Sequence, residues 1–322
     1  QGLSAADYLK FGVFMASHGL SADTVRRVAA QLAAEKTGDA RLSWKRVQLL
    51  DQLQFDVFRA AWRQRRPDFA TFFSNSVAHV QHSYWRHMDP DAFTVRPDAG
   101  ELAVYGHAVR DAYIATDRLL GRFRKLAAAE GITLMFATAL SQQPFLRHEE
   151  TGGQHFYRLH DVSAFLNDAA IAFAEVKPTM THQYMLRCAD PAARDAAKAT
   201  LAGYRLADGR QVFGFPPVEG DSAQLYFGCQ VSSATPSDTV VLDGAGREAS
   251  FGSLFYRIAA IKSGRHHPDG CLWIQSPRPR VHGAKASILD ILPTQLAMLG
   301  VDVPNGLSGQ NLLAEHADRA AA

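Results

Sequence analysis

The sequence shows little charge imbalance and few cysteines. Lys and Arg number 34 against 32 for Asp and Glu, giving a formal net charge of +2, so there is no electrostatic basis for binding nucleic acid. The three cysteines, Cys188, Cys229 and Cys271, have no C-x-x-C spacing, which argues against a zinc finger or a disulfide framework. Buried free thiols in a reducing compartment are the simpler interpretation.

Long apolar runs are missing as well. No stretch reaches the length that a membrane span needs, and the first residues do not show the basic-then-apolar order of a signal peptide. With the unpaired cysteines, these features favour a cytoplasmic protein that has no membrane span. The sequence gives no indication of oligomeric state.

Three common catalytic signatures are absent from the sequence. It contains no G-x-S-x-G elbow, which disfavours a Ser–His–Asp hydrolase of the α/β type. It also contains no G-x-x-x-x-G-K-[ST] loop and no G-x-G-x-x-G following a strand, so nucleotide binding by either of those routes is not indicated.

Helical periodicity dominates the first part of the 322-residue chain. The apolar spacing predicts helices over 21–36, 43–65 and 101–130, the last ending at Gly131. A continuous apolar run over 132–137 follows, and such a run is typical of a strand that a parallel sheet buries on both faces. A second, shorter apolar run over 69–75 is also consistent with a buried strand.

Helix, short loop and buried strand in succession are typical of an α/β crossover. The sequence therefore predicts a layered α/β fold with a mostly parallel sheet flanked by helices. Over 150–255 short strands alternate with two helices, which indicates a small α+β insertion or cap. The predicted regions are a helical part and first half of the core (1–149), the insertion (150–255) and the remainder of the core (256–322).

Polar side chains concentrate in three segments that follow predicted strands, at 75–85, 138–144 and 262–270. Open α/β folds place their sites at the carboxyl ends of strands, so we expect the three segments to line one cleft, with the imidazoles of the first and third facing each other. The candidate residues are Asn75, His79, His82, Gln142, Gln143, Lys262, His266 and His267.

The order of these segments resembles a known family. Phe73, Asn75, His82 and Trp85 match the F-x-N-x-x-D-x-x-x-H-x-x-W stretch of the type I phosphodiesterase and nucleotide pyrophosphatase branch of the alkaline phosphatase superfamily. Positions 264–270 are similar to that branch's G-x-H-x-P-x-G, and positions 290–294 to its closing D-x-x-P-T. The resemblance covers roughly 68–145 and 255–313.

The resemblance implies a site for two divalent metals, usually zinc, and a Ser or Thr nucleophile that attacks phosphorus or sulfur. His82 and His266 fall on ligand histidines. Ala78 stands where the family has a ligand aspartate, and Ala139 and Leu140 replace the Asp and His of its Ser-Asp-His-Gly. The strand that carries the nucleophile and the first metal aspartate is expected upstream of Gln1.

Two functions remain open on these grounds. The first is a divergent phosphoester or phosphodiester hydrolase or transferase, with His82 and His266 as catalytic groups or as ligands of one divalent metal, zinc or manganese. Substrate contacts would come from Asn75, His79, Gln142, Gln143, Lys262 and His267. The second is a metal-free pseudoenzyme or binding protein that keeps the pocket for a small anionic or glycan-like ligand. A third interpretation gives the histidines a purely structural role.

Overall fold

Capping side chains fix where many of the helices begin. A Ser or Asp oxygen accepts a backbone N–H from the first turn, which satisfies one of the donors that a helix N-terminus leaves unpaired. The capping residues are Ser4, Ser21, Asp98, Asp161 and Asp190. The predicted helix start at position 21 is confirmed by this contact.

The computed structural model describes residues 4–217, 220–258, 261–275 and 284–314. None of its helices is long and apolar enough to cross a membrane. The helices are α1 (Ala5–Ser17), α2 (Ala22–Thr37), α3 (Arg46–Arg65), α4 (Ser76–Met88), α5 (Ala99–Tyr105), α6 (Ala108–Glu130), α7 (Val162–Asp168), α8 (Pro191–Ala202), α9 (Phe251–Leu254) and α10 (Ile291–Met298).

The strands are short and belong to several small sheets. They are β1 (Met135–Thr138), β2 (Ser141–Pro144), β3 (Tyr157–Leu159), β4 (Glu175–Pro178), β5 (Gln183–Arg187), β6 (Arg205–Leu206), β7 (Phe213–Gly214), β8 (Gln224–Cys229), β9 (Val240–Leu242), β10 (Glu248–Ser250), β11 (Phe255–Arg257), β12 (Gly264–His267) and β13 (Cys271–Ile274). The sheet orders are β4-β5-β8-β7, β10-β9-β6, β11-β3, β1-β13 and β12-β2.

The predicted layered, mostly parallel sheet is wrong. The sheets of the described residues have two to four strands, and their pairings are antiparallel. Only positions 135–137 of the apolar run over 132–137 belong to a strand, β1, whose residues are half-buried or exposed and not buried on both faces. This strand pairs antiparallel with β13, Met135 opposite Ile274 and Thr138 opposite Cys271. An apolar run predicts burial and not strand direction, and that is why the crossover interpretation failed.

The strand predicted over 69–75 is also wrong, because these residues have no regular structure. Aromatic packing accounts for one residue of the apolar run, Phe72, whereas Phe69 and Phe73 are exposed. The Phe72 ring lies edge-on against Phe58, with centroids 5.7 Å apart, and against Phe123, at 4.9 Å. A side chain can be buried by such a cluster without any backbone pairing.

The chain divides into two compact units. Unit one contains Val80–Val109 and Gln143–Arg265, and unit two contains Ser4–His79, Arg110–Gln142 and His266–Ala322. Positions 259–260, 276–283 and 315–322 of the predicted core region 256–322 lie outside the described residues. The predicted division at 150 and 255 stays a prediction.

The core of unit one is built from β5, β8 and the elements that cover them. Leu186 on β5 and Phe227 on β8 are fully buried, and Leu201 of α8 and Phe213 of β7 pack into the same cluster. Burial of side chains of this size stabilises the fold by roughly 1.5–3 kcal/mol each. The two strands are paired over five positions, from Gln183–Gly228 to Arg187–Gln224, which holds this core in register.

Unit two is organised around a buried carboxylate, that of Asp56 on α3. It accepts hydrogen bonds from the backbone N–H and hydroxyl of Ser21, both at 2.8 Å, and from the Arg122 guanidinium of α6 at 2.6 Å. Burial alone would raise the pKa of Asp56, but hydrogen bonds from Thr24, Ser21 and Arg122 outweigh it and lower the pKa. The Arg122 guanidinium also lies 4.2 Å from the centroid of the Phe55 ring.

The closing segment of unit two is held by two buried polar residues. The Asp290 carboxylate accepts the backbone N–H of Ser287 at 2.8 Å and that of Gln310 at 2.9 Å. The Thr294 hydroxyl donates to the Asp290 carbonyl at 2.6 Å and accepts the N–H of Leu312 at 3.0 Å. The D-x-x-P-T sequence therefore fastens 309–312 to α10.

Replacing Arg122 by Met should destabilise the protein by about 3 kcal/mol, because it leaves the buried Asp56 carboxylate without its nearest cation. The measurement is urea denaturation followed by tryptophan fluorescence. Arg26→Met is the matched control, since its ion pair with Asp23 lies on the surface, and it should change the free energy of unfolding by less than about 1 kcal/mol. Equal effects of the two substitutions would contradict a central role for Asp56.

Candidate functional site

Each of the three candidate segments contributes residues to both units. Unit one contains His82, Gln143 and Lys262; unit two contains Asn75, His79, Gln142, His266 and His267. The predicted apposition of His82 and His266 stays a prediction, because the two histidines belong to different units.

In unit one, His82 lies on helix α4 and not beyond the end of a strand, so that part of the prediction is wrong. The helix is kinked at Tyr84, which has φ −125° and ψ 17°. The kink lies between His82 and Arg86, and both of these residues contact the third segment.

The first and third segments meet through hydrogen bonds to Ser263 and Gly264. The His82 Nδ1 atom lies 2.8 Å from the Gly264 carbonyl oxygen. The Ser263 N–H donates to the His82 carbonyl at 2.8 Å, and the Ser263 hydroxyl accepts the backbone N–H of Arg86 at 3.2 Å. Ser263 is 1% exposed, so these contacts are withdrawn from water.

The residue that follows the second segment, Phe145, reaches the same point. The backbone N–H of Phe145, next to Pro144, donates to the Ser263 carbonyl at 2.9 Å. Three stretches far apart in the sequence thus converge on Ser263 within unit one. Gln143 and Lys262 lie beside this point of convergence in the sequence, and both side chains are half-buried.

Gly264 is required at this contact because the backbone of α4 is too close for a side chain. A Cβ atom at this position would overlap the Gln81 carbonyl oxygen and would lie 2.9 Å from its carbon and 3.2 Å from the His82 Cα. The first glycine of the G-x-H-x-P-x-G sequence is therefore explained by packing. Gly270, the second one, meets the Thr138 carbonyl in the same way within unit two.

The contact with Gly264 determines the chemistry available to His82. A carbonyl oxygen can only accept, so Nδ1 carries the proton and donates it to Gly264. The other ring nitrogen, Nε2, then holds the lone pair that can take a proton or bind a ligand. Anchoring of one imidazole nitrogen by a backbone carbonyl is also how proteins orient histidines that work through the other nitrogen.

The candidate residues of unit two are more exposed. His266, Asn75 and His79 are exposed, and Gln142 is half-buried. His267 is half-buried, and its Nδ1 accepts the backbone N–H of Asp269 at 3.1 Å.

The two-metal site that the family resemblance implies does not fit the residues that the structure describes, and binding of a single zinc or manganese ion stays a prediction. These residues contain no group of three or more His, Cys, Asp or Glu side chains that could hold a metal ion. Zinc takes about four N, O or S donors, and Ala78, Ala139 and Leu140 offer none at the positions where the resemblance expects them. The geometry around His82 is compatible with proton transfer and with hydrogen bonding.

Sequence reasoning missed three histidines of unit one. His87, 5% exposed, and His155, 3% exposed, are both buried, and the pKa of each is lowered mainly by burial. The third is His182, which is half-buried. Its pKa is lowered too, first by burial and then by Arg158 and Lys262. The i, i+3 spacing of Tyr84 and His87 on one helix was an available signal for a shared environment.

His87 belongs to an aromatic cluster beside the ion pair of Arg86 and Glu101. Its ring lies 5.5 Å from Tyr84 and 5.2 Å from Tyr105, centroid to centroid. Neither ring nitrogen has a hydrogen-bond partner among the described residues. Burial, aided by the positive charge of Arg86, lowers the pKa of His87 to about 4, so the imidazole is neutral at physiological pH.

Comparison with known proteins adds no family to this picture. No family model, no curated protein and no solved structure matches the chain. The comparisons therefore do not identify a relationship to the alkaline phosphatase superfamily, and the function has to be argued from the site.

Replacing Gly264 by Ala should lower the free energy of unfolding by at least about 2 kcal/mol, because the added methyl group forces the third segment away from α4. Thermal and urea denaturation give the measurement. Gly121→Ala is the matched control, since a Cβ there meets nothing within 4 Å, and in the interior of α6 it should stabilise by roughly 0.5–1 kcal/mol. A neutral Gly264→Ala would show that the approach is looser than described.

The stability of the protein should depend on pH through His87. Its folded pKa of about 4 lies below the unfolded value of about 6.5, so only the unfolded chain binds a proton between these values. The stability that the neutral His87 imidazole contributes to the folded state is therefore fully present above pH 6.5 and is lost as the pH falls towards 4. His87→Phe should flatten the stability profile in this interval, whereas the exposed His18→Phe should leave it unchanged.

Proposed function

We propose that the protein acts on a small anionic ester, such as a phosphodiester, phosphonate or sulfate, as a divergent hydrolase or transferase in which His82 transfers the proton. The observation that carries the proposal is the 2.8 Å contact between His82 Nδ1 and the Gly264 carbonyl. It joins two of the segments that resemble the phosphodiesterase branch. It also leaves Nε2 as the basic nitrogen, which general acid–base catalysis requires.

The amide side chains supply the complementary part of the proposal. Carboxamide N–H groups donate to ester oxygens without requiring a metal, and Asn75, Gln142 and Gln143 are proposed in that role. His79, His266 and His267 are proposed as further substrate contacts. Because the donor set does not fit a two-metal centre, the proposed proton transfer involves the protein's own groups. The cytoplasmic location is likewise proposed, on the ground that Cys188, Cys229 and Cys271 are all free thiols.

A second candidate is a binding protein without catalytic activity. It is favoured by Ala78, Ala139 and Leu140, which stand where the resemblance expects metal ligands. In this case the contacts around Ser263 would hold a pocket in shape, and His82 would donate or accept a hydrogen bond to a small anionic or glycan-like ligand.

The test is hydrolysis of a set of nitrophenyl esters: nitrophenyl phosphate, the diester bis(nitrophenyl) phosphate, nitrophenyl phenylphosphonate and nitrophenyl sulfate. If His82 transfers the proton, His82→Gln should lower kcat/KM for the preferred ester by at least about 100-fold. Metal content is measured on the same samples. His18→Ala serves as the control, because its Nδ1 also contacts a backbone carbonyl, at 2.7 Å, but on the exposed surface of unit two.

The outcomes separate the two candidates. Turnover that survives unchanged in His82→Gln would refute the assignment of His82. Binding of these esters without turnover, weakened by His82→Gln and not by His18→Ala, would support the binding protein. If the protein neither binds these esters nor hydrolyses them, both candidate functions are eliminated.

A further inference from the structure

A second group of polar residues in unit one lies around His182. The imidazole stacks on the Phe156 ring, with centroids 4.9 Å apart and an interplanar angle of 27°, which restricts its orientation. Its Nδ1 atom is buried and has no hydrogen-bond partner among the residues that the structure describes. A buried polar atom without a partner costs about 1–3 kcal/mol, so its presence calls for an explanation.

Two cations lie near this imidazole. The Lys262 backbone N–H donates to the Gln154 carbonyl at 3.2 Å, two residues before Phe156, and Arg158 lies two residues after Phe156. The positive charges of Arg158 and Lys262 add to burial in lowering the pKa of His182. The Lys262 ammonium lies 4.9 Å from the centroid of the Phe145 ring, and the Arg158 guanidinium lies 5.6 Å from that of Tyr184. Within the described part of the chain, neither the Lys262 ammonium nor the Arg158 guanidinium forms an ion pair with a carboxylate.

Burial also lowers the pKa of Lys262. Its ammonium therefore has less than full hydration, and an anion that approached it would be attracted more strongly than at an exposed lysine. Two cations and an unsatisfied imidazole without a carboxylate among them form a region of positive potential. This is the arrangement that recognises phosphate, sulfate and carboxylate groups.

A groove of about 260 Å³ opens beside His182. Its wall includes the amide side chains of Gln183 and Gln230 and the apolar side chains of Phe215 and Pro216. A wall of this kind suits the organic part of a ligand whose charged group lies at the cations.

We propose that unit one binds an organic phosphate or phosphonate, with its anionic group at His182, Lys262 and Arg158 and its apolar part in the groove beside His182. The imidazole of His182 donates a hydrogen bond to the anion, and the two cations neutralise its charge. Of the substrate contacts expected from the sequence, this site takes up only Lys262; it does not use His82 and can exist without the proposed proton transfer.

The experiment is calorimetric titration of the whole protein with phenylphosphonate, which has no ester bond to hydrolyse, and with inorganic phosphate. Phenylphosphonate should bind saturably and at least about tenfold more tightly than phosphate, because only the former occupies the groove. Lys262→Met and His182→Phe should each weaken phenylphosphonate binding by about tenfold or more. The phenylalanine keeps the ring stack on Phe156.

The matched control is Lys45→Met, since the Lys45 ammonium also lies over an aromatic ring, that of Trp44 at 5.3 Å, but in unit two. It should leave binding unchanged. Circular dichroism checks that each variant folds, and if Lys262→Met does not, Arg158→Gln provides the same test.

Three results would overturn the site. The first is the absence of saturable binding. The second is binding that is unaltered in Lys262→Met and His182→Phe. The third is binding lost in His82→Gln but retained in Lys262→Met, which would place the anion at His82 and support the proposed activity instead. Equal affinities for phosphate and phenylphosphonate would remove the groove from the proposal.

Discussion

The candidate site depends on how closely one backbone can approach another. At Gly264 the third segment lies against α4 with no space for a side chain, and this approach allows the carbonyl of Gly264 to accept the His82 proton and the amide of Ser263 to reach the His82 carbonyl. If the two backbones were an ångström farther apart, these hydrogen bonds would be lost together. The tautomer of His82, and hence the proposed chemistry, follows from a packing constraint.

Local signals in the sequence were sufficient for some of the helices, although not for α4, and insufficient for the sheets. The cap at Ser21 and the end of α6 at Gly131, whose φ is 68°, could be predicted because each is set by one residue's own preferences. Strand β1 was found where the apolar run predicted it, but its partner β13 lies more than a hundred residues away. Whether such a pair runs parallel or antiparallel is decided by the path of the intervening chain, which no local pattern records.

The site was predictable to the extent that it rests on residue type, and unpredictable where it rests on burial. His82 stood out through its neighbours in sequence, and its contact with the third segment was expected. His87 and His182 owe their properties to side chains from other elements, Tyr105 in one case and Phe156 in the other. A histidine with ordinary sequence neighbours gives no sign that its ring nitrogens will be withdrawn from water.

The contacts of Asp290 bear on how short motifs are interpreted. Each oxygen of its carboxylate accepts a backbone N–H, one from Ser287 and one from Gln310. The Thr294 hydroxyl both donates a hydrogen bond and accepts one. Asp290 and Thr294, whose side chains suggest catalysis or metal binding in the sequence, instead hold two stretches of backbone together by hydrogen bonds. A short motif of this kind indicates that a side chain is constrained. Whether the constraint is structural or catalytic is decided by the atoms that the side chain contacts.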